Sequence, residues 1–188
     1  LSRQGLNFSN MQATGTRTVR GIEAITLSVP PTPGNSIVRR HNNDNLFSMG
    51  TLFKQRGYDL KFIYGGLGYF DNMNDYFADN GYEIVDRLDF SASNKTFANA
   101  WGQCDNDLFN ESITQADLSY DQGKAFHQIL LTTSNHRPFT FPDSEGIVPD
   151  GSRTQAIKYS DWAIGKFIQN ASTKPWFNNT IFMFVGDH

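Results

Sequence analysis

The stretch Ala125-Phe-His-Gln-Ile-Leu-Leu-Thr-Thr133 is informative about the fold, because it has the length and apolar character of a buried β-strand. The polar run Ser134-Asn-His136 follows at once, so a histidine is carried to the strand's carboxyl end. In open α/β sheets that end is where ligands bind. We therefore expect a central strand here, with a candidate site just beyond it.

Short apolar runs alternate with segments of helical periodicity along the rest of the chain. This alternation predicts an α/β sandwich with parallel strands and right-handed crossovers. The length of 188 residues suits one domain with a sizeable core. We expect strands at 58–64, 82–85, 125–133 and 180–185, and helices at 46–56, 71–80, 105–118 and 151–170, with a further helix that begins near Thr18.

The bulk composition excludes several classes of protein. The formal net charge is -3, from 16 basic and 19 acidic residues spread along the chain. The sequence therefore lacks the concentrated basic patch that binding to nucleic acid or to an anionic membrane surface requires. Cys104 is the only cysteine, which rules out an internal disulfide. No run of about 18 apolar residues occurs, so the sequence predicts no membrane span. These are the properties of a well-packed globular domain.

A first polar cluster, Ala13-Thr-Gly-Thr-Arg-Thr-Val-Arg-Gly21, brings threonines and arginines close together in the sequence. A threonine hydroxyl becomes a useful nucleophile when a base or a metal lowers its pKa. Neighbouring arginines and backbone amides can hold an anionic oxygen. On composition alone, a hydroxyl-rich turn that caps a helix explains the same residues.

Two further polar segments follow predicted strands. His136 can donate a hydrogen bond to a phosphate or act as a general acid, and the alternative is a loop histidine bonded to a backbone carbonyl. Asp187 and His188 follow the apolar run that ends at Val185, and a carboxylate beside an imidazole suits a divalent metal. The alternative there is a polar turn. The sequence alone does not show that the three segments converge.

Four stretches together resemble the lipoteichoic acid synthase branch of the sulfatase and alkaline phosphatase superfamily. Their order along the chain matches the family's order of nucleophile, strand, substrate loop and metal pair. The resemblance covers essentially the whole chain and implies an alkaline phosphatase-like α/β/α sandwich with a mostly parallel sheet. The Gly15-Thr-Arg-Thr-Val-Arg-Gly-Ile-Glu-Ala24 sequence is most similar to Gram-negative members. The stretches are 12–18 with Glu23-Ala24, 54–73, Leu131-Thr-Thr-Ser-Asn-His-Arg-Pro-Phe139 and Val185-Gly-Asp-His188.

The resemblance assigns roles to individual residues. Thr18 falls on the position of a metal-bound nucleophile, and His136 falls on a position that contacts a phosphoglycerol head group. The implied reaction is metal-dependent transfer of a phosphoglycerol-type group through a phospho-threonine intermediate, in cell-envelope polymer or lipid modification. The expected site residues are Thr18 for catalysis, Thr18, Asp187 and His188 for the metal, and His136, Arg17 and Arg137 for the substrate.

The resemblance also implies a cofactor, a substrate class and a location. The cofactor is a divalent metal ion, with manganese favoured and magnesium or zinc as alternatives. The substrate is a phospholipid or glycan head group, and no nucleic-acid partner is expected. Upstream membrane helices, absent here, would anchor the full-length protein with this domain on the extracytoplasmic, periplasmic face of the bacterial inner membrane. Residues 1–188 are expected to be one partial catalytic domain, inactive alone, that lacks the family's first and last strands and an early acidic metal ligand.

Other functions stay open on these residues. Within the superfamily they are phosphoethanolamine transfer, phosphodiester hydrolysis and sulfatase-type hydrolysis; outside catalysis they are an inactive relative or an unrelated α/β binding module. Asp71, Asn72 and Met73 do not match the aromatic and basic residues of the best-known synthases, which leaves the transferred group open. Sulfatase chemistry is disfavoured, because Cys104 lies outside the Cys/Ser-x-Pro-x-Arg setting that it requires.

Overall fold

A computed structural model describes residues 5–188 and shows an α/β fold built on a parallel three-stranded sheet with the strand order β2-β1-β3. The pairing is in register, with Ile63 of β1 opposite Val85 of β2 and Leu130 of β3. The strands are β1 (Asp59–Tyr64), β2 (Glu83–Val85) and β3 (Phe126–Leu131). The helices are α1 (Thr18–Leu27), α2 (Met49–Gln55), α3 (Met73–Asp79), α4 (Asp105–Asp121) and α5 (Arg153–Ala171).

Both faces of the sheet are covered, and β1 is accordingly buried along nearly its whole length. Side chains alternate along the strand, so Phe62 points to one layer and Ile63 to the other. Phe62 stacks on Phe77 of α3 at a ring-centroid distance of 3.9 Å, in the layer that also contains α1. The opposite layer contains α4 and α5, whose Phe109 and Phe167 stack at 4.9 Å.

The position of β3 differs from the prediction. β1 is the central strand, whereas within residues 5–188 β3 pairs only with β1 and all six of its residues are partly exposed. The run 180–185, predicted to be a strand, has no regular secondary structure, so it does not pair with the outer edge of β3. Phe182 alone in this run packs inward, against Phe167 and Phe177, while Ile181 and Met183 are exposed.

None of the helices in residues 5–188 combines the length and the apolar character that crossing a bilayer requires.

His127 lies inside β3 and is a packed core residue, as its place within a predicted strand suggests. Its Nε2 atom lies 3.1 Å from the Tyr82 hydroxyl, and its ring stacks on Phe53 at 4.5 Å. Burial lowers the pKa of His127 to about 4, because the charged imidazolium would lose its hydration there.

We expect His127 to make the domain less stable as the pH falls from about 6.5 towards 4. In the unfolded chain a histidine has a pKa of about 6.5, so the unfolded state binds more protons than the folded state in this window. Stability is therefore lost on acidification. Urea unfolding across this range should show a smaller loss for His127→Gln than for the wild type. The exposed His41→Gln variant is the control and should follow the wild type; a His127→Gln curve parallel to the wild type would contradict the prediction.

Candidate active site at the carboxyl edge of the sheet

Helix α1 begins at Thr18, the residue that the sequence singles out as a nucleophile. The residue before it, Arg17, is the N-cap, and no side chain caps this helix end, so a capping role does not account for the threonine cluster. The amides of Arg20 and Gly21 both donate to the Arg17 carbonyl. Within residues 5–188 the amides of Thr18 and Val19 have no backbone acceptor, and the Thr18 hydroxyl makes no hydrogen bond. A free hydroxyl therefore lies at a helix N-terminus whose dipole favours anions.

Glu23 fixes α1 to the loop that follows it. Its fully buried carboxylate accepts hydrogen bonds from Arg20 at 2.7 Å, from the Ser36 hydroxyl at 2.8 Å and from the Ile37 amide at 2.6 Å. Burial alone would raise the pKa of Glu23, but these donors outweigh it and hold the pKa below its usual value. The charge that the sequence places five residues after Thr18 thus has a structural function: it orients the helix.

The backbone of Asp187 rests directly on α1. A Cβ atom added at Gly21 would lie 2.7 Å from both the Cβ atom and the carbonyl oxygen of Asp187, closer than real contacts allow. Gly21 is three residues after Thr18, and residues so spaced share one helix face. The missing side chain at Gly21 therefore lets the carboxyl-terminal segment approach the helix turn that begins with Thr18.

Asp187 and His188 provide two adjacent donors for a cation. The His188 Nε2 atom lies 3.8 Å from the Asp187 Oδ2 atom, and both side chains are partly exposed. By chemistry and proximity they fit a divalent metal. No group of three or more His, Cys, Asp or Glu side chains suited to a metal occurs within residues 5–188, so the described chain offers these two side chains as ligands of that kind here.

His136 follows β3, as predicted, and lies within electrostatic reach of the other segments. Burial lowers its pKa; Asp187 and Asp105 act to raise that pKa, and His188 acts to lower it further. Its imidazole stacks on the indole of Trp101, with ring centroids 4.4 Å apart and planes inclined by 29°. The charges of Asp187 and His188 thus contribute to the electrostatic environment of His136.

The loop that carries His136 is anchored by Asp105, the first residue of α4. The Asp105 Oδ1 atom accepts hydrogen bonds from the amides of Thr133 and Ser134, at 3.0 and 2.9 Å, and Oδ2 accepts one from Ser160 of α5 at 2.7 Å. In the sequence Asp105 is only an acidic residue suited to a helix N-terminus. No local signal identifies its partners, because they come from two distant segments.

The two predicted arginines occupy different places. Arg17 is exposed and lines a cleft of about 270 Å³ together with Arg20 and Arg39, beside the start of α1. Arg137 has an exposed side chain at the loop after β3, and its backbone carbonyl accepts a hydrogen bond from the Trp101 indole. The structure therefore places Arg17 at the start of α1 and leaves Arg137 exposed on the His136 loop.

The rim after β1 is held by polar contacts of its own. Asp71 lies 3.4 Å from the Arg39 guanidinium, and the Asn72 side chain donates to the Val38 carbonyl at 3.0 Å. Asp71 and Asn72 both have left-handed backbone conformations, with φ of 54° and 63°. Their side chains thus bind the segment that follows α1.

Comparison with known proteins identifies relatives of the whole chain. A family profile described as Sulfatase matches residues 1–188. Phosphoglycerol transferase I of Escherichia fergusonii is 25% identical over 205 residues, covering 100% of this chain and 27% of that protein. Lipoteichoic acid synthase of Staphylococcus aureus (strain USA300) is 25% identical over 146 residues, covering 73% of this chain and 22% of that protein. The chain thus spans about a quarter of the length of these curated relatives.

Solved structures confirm the α/β fold. A protein of the alkaline phosphatase superfamily from Vibrio parahaemolyticus matches with a TM-score of 0.82 and 36% identity, over 90% of this chain and 42% of that one. A lipoteichoic acid synthase from Listeria monocytogenes matches with a TM-score of 0.72 and 18% identity, over 86% of this chain and 41% of that one. The second likeness concerns the fold alone.

The contact between Gly21 and Asp187 gives a prediction with a matched control. Replacing glycine by alanine inside a helix normally stabilises a protein by about 0.5–1 kcal/mol. Gly165→Ala in α5 should show this gain, since nothing lies within 4 Å of the added methyl group. Gly21→Ala should lose the gain, because its methyl group meets the Asp187 backbone. Urea unfolding of both variants measures the difference; equal stabilisation would show that Asp187 does not rest on α1.

Proposed function

The chain belongs to the sulfatase family, and from this membership we propose that it forms part of a metal-dependent enzyme that transfers a phosphoglycerol-type group through Thr18. The observation that carries the proposal is the contact of the Asp187 backbone with Gly21, one helical turn from Thr18. This contact supports a site in which a potential nucleophile and a potential metal ligand lie close to the same face of α1. The names of two relatives, a phosphoglycerol transferase and a lipoteichoic acid synthase, favour the phosphoglycerol group.

Thr18 would act as the nucleophile on a phosphodiester. Its Oγ1 atom forms a bond to phosphorus while the bond from phosphorus to the donor's alcohol breaks, and that alcohol leaves with a proton. An acceptor alcohol, or water, then attacks the phospho-threonine and frees Thr18. The N-terminus of α1 supports this role, because its unpaired amides and dipole favour the negative charge of a phosphate.

Asp187 and His188 are the residues that would hold the cation, for which manganese is favoured and magnesium or zinc are alternatives. A divalent ion bound there lowers the pKa of a nearby hydroxyl and offsets the charge of a phosphate. The chain's own part is to keep Asp187 against α1, through the close approach at Gly21, with His188 as the next residue.

His136 and the two arginines would bind the substrate. His136 is half-buried after β3, within the electrostatic influence of Asp187 and His188, and its imidazole can hydrogen-bond to the head group's oxygens. Arg17 lies in the basic cleft beside Thr18 and supplies positive charge to an anionic oxygen. Arg137, farther out on the same loop as His136, suits a more peripheral part of the substrate.

Substrate and location follow from the same family membership. A phospholipid or glycan head group is the proposed substrate, and the full-length protein is proposed to present this domain on the extracytoplasmic face of the bacterial inner membrane. Two relatives act, by their names, on phosphoglycerol and lipoteichoic acid, which are compatible with such a place.

Cys104 gives a reason to prefer phosphoryl chemistry over sulfate-ester hydrolysis by a modified cysteine. It is the only cysteine in the chain, and its thiol is 2% exposed beneath the start of α4. Burial raises the pKa of Cys104 to about 11, so the thiolate is disfavoured at neutral pH. A side chain so enclosed suits the core rather than contact with a substrate.

Thr18→Ala should abolish turnover of a chromogenic phosphodiester, bis(p-nitrophenyl) phosphate, by the full-length protein. Loss of a covalent nucleophile lowers kcat by about a thousandfold or more. The melting temperature should stay close to wild type, because the hydroxyl makes no hydrogen bond within residues 5–188. Thr16→Ala, whose residue is exposed two positions earlier, is the matched control and should keep turnover. Full activity in Thr18→Ala would move the nucleophile elsewhere, with Thr16 the next candidate.

Chelation should inactivate the full-length protein reversibly. Dialysis against EDTA removes a cation held by two protein side chains, and added Mn²⁺ should restore turnover. Asp187→Asn should raise the Mn²⁺ concentration needed for half-maximal activity, and its metal content should fall. Asp150→Asn is the control, since Asp150 is exposed before α5 and accepts a hydrogen bond from the Ser152 amide. Undiminished turnover in excess chelator would exclude the metal mechanism.

A further inference from the structure

We propose that Trp101 is a positioning residue of this site, whose indole fixes the orientation of the His136 imidazole. The inference rests on the proposed function, because it concerns the residue assigned to the head group. Trp101 lies in the turn before α4, more than thirty residues away in sequence, and its indole covers one face of the His136 ring.

The stacking contact is the restraint on the His136 ring that the structure provides. The His136 backbone amide donates to the Thr133 carbonyl at 3.2 Å, which sets the course of the loop. Its ring nitrogens, in contrast, make no hydrogen bond to any of residues 5–188. Imidazoles in functional sites are usually oriented by a hydrogen bond at one ring nitrogen. Here the Trp101 face takes that role and leaves both nitrogens available.

Trp101 is itself held on several sides, as a positioning group must be. Its amide donates to the Asn99 Oδ1 atom at 2.8 Å, and the Asn99 side chain donates in turn to Thr140 beyond the His136 loop. The indole Nε1 atom donates to the Arg137 carbonyl, which belongs to the residue next to His136. The turn and the loop are therefore clamped to each other at two points.

The backbone leaves no room for the Trp101 turn to shift. Gly102 follows with φ of 151°, and a Cβ atom there would lie 2.1 Å from the Gly65 carbonyl oxygen at the end of β1. The Gln103 amide donates to that same carbonyl at 2.8 Å. The turn that carries the indole is thus fixed to the residue that follows the central strand. Phe70 adds an edge contact to its other side, at a centroid distance of 6.1 Å.

The expected effect follows from the strength of an aromatic pair. Such a contact contributes enough to orientation that its loss should lower kcat/KM between about twofold and about tenfold. Trp101→Leu removes the stacking face and the Nε1 donor. Trp101→Phe removes only the donor and keeps an aromatic face, so it should stay within about twofold of wild type. A larger loss in Trp101→Leu than in Trp101→Phe therefore distinguishes the effect of stacking on the His136 ring from the effect of the hydrogen bond to the Arg137 carbonyl.

A double-mutant cycle in the full-length protein, with bis(p-nitrophenyl) phosphate and Mn²⁺, tests whether Trp101 acts through His136. Trp101→Leu should slow the wild type but add nothing to the loss already present in His136→Ala. If Trp101→Leu slows His136→Ala by the same factor as the wild type, its role is general stability and the inference is wrong. Melting temperatures of the variants record any loss of folding.

A second readout does not depend on turnover. The His136 resonance in protein labelled with ¹³C at histidine Cε1, identified by its absence in His136→Ala, should carry the ring-current shift of a stacked indole. Trp101→Leu should remove that shift and Trp101→Phe should keep most of it. An unchanged His136 resonance in Trp101→Leu overturns the inference. Full turnover in both Thr18→Ala and His136→Ala would refute the proposed function, and this resonance would still decide whether Trp101 orients the ring.

Discussion

The carboxyl edge of the sheet depends on the buried charge of Asp105. A carboxylate is tolerated away from water only when donors replace its hydration. The donors here are two amides of the loop after β3 and the Ser160 hydroxyl of α5. Folding therefore cannot bury Asp105 without also closing the His136 loop over α4. Stability and the shape of the candidate site are coupled through this single group.

The wall of the site at α1 depends instead on the absence of a side chain at Gly21. Glu23 holds α1 through three donors, and Gly21 leaves that helix bare where the Asp187 backbone arrives. The wall after β3 is thus held by the hydrogen-bonded carboxylate of Asp105, and the wall at α1 by the close approach of the Asp187 backbone to Gly21. Neither contact uses the Thr18 hydroxyl or the side-chain donor atoms of Asp187 and His188.

The sequence was informative where structure is local. The periodicity of α4 and α5 and the apolar run of β1 identify these elements within a few residues. The order of the strands in the sheet could not be predicted from the sequence, because β3 is as apolar as a central strand. Only the pairing between distant segments determines that β1 lies in the middle. For the same reason 180–185 has the composition of a strand but forms none. The same holds for the candidate site. His136 and Asp187 can be identified from their positions after apolar runs, whereas the stacking of Trp101 on His136 joins two separate loops and has no local signal in the sequence.

The stacking of Trp101 on His136 also makes the intrinsic tryptophan fluorescence of the chain sensitive to this site. Indole emission responds to an imidazole in contact with it and to charge brought nearby. The other two tryptophans, Trp162 and Trp176, pack into the hydrophobic layer beyond the sheet. Arrival of a cation or a phosphate at the carboxyl edge would thus be reported mainly by one fluorophore. Binding could be followed without a label and without turnover.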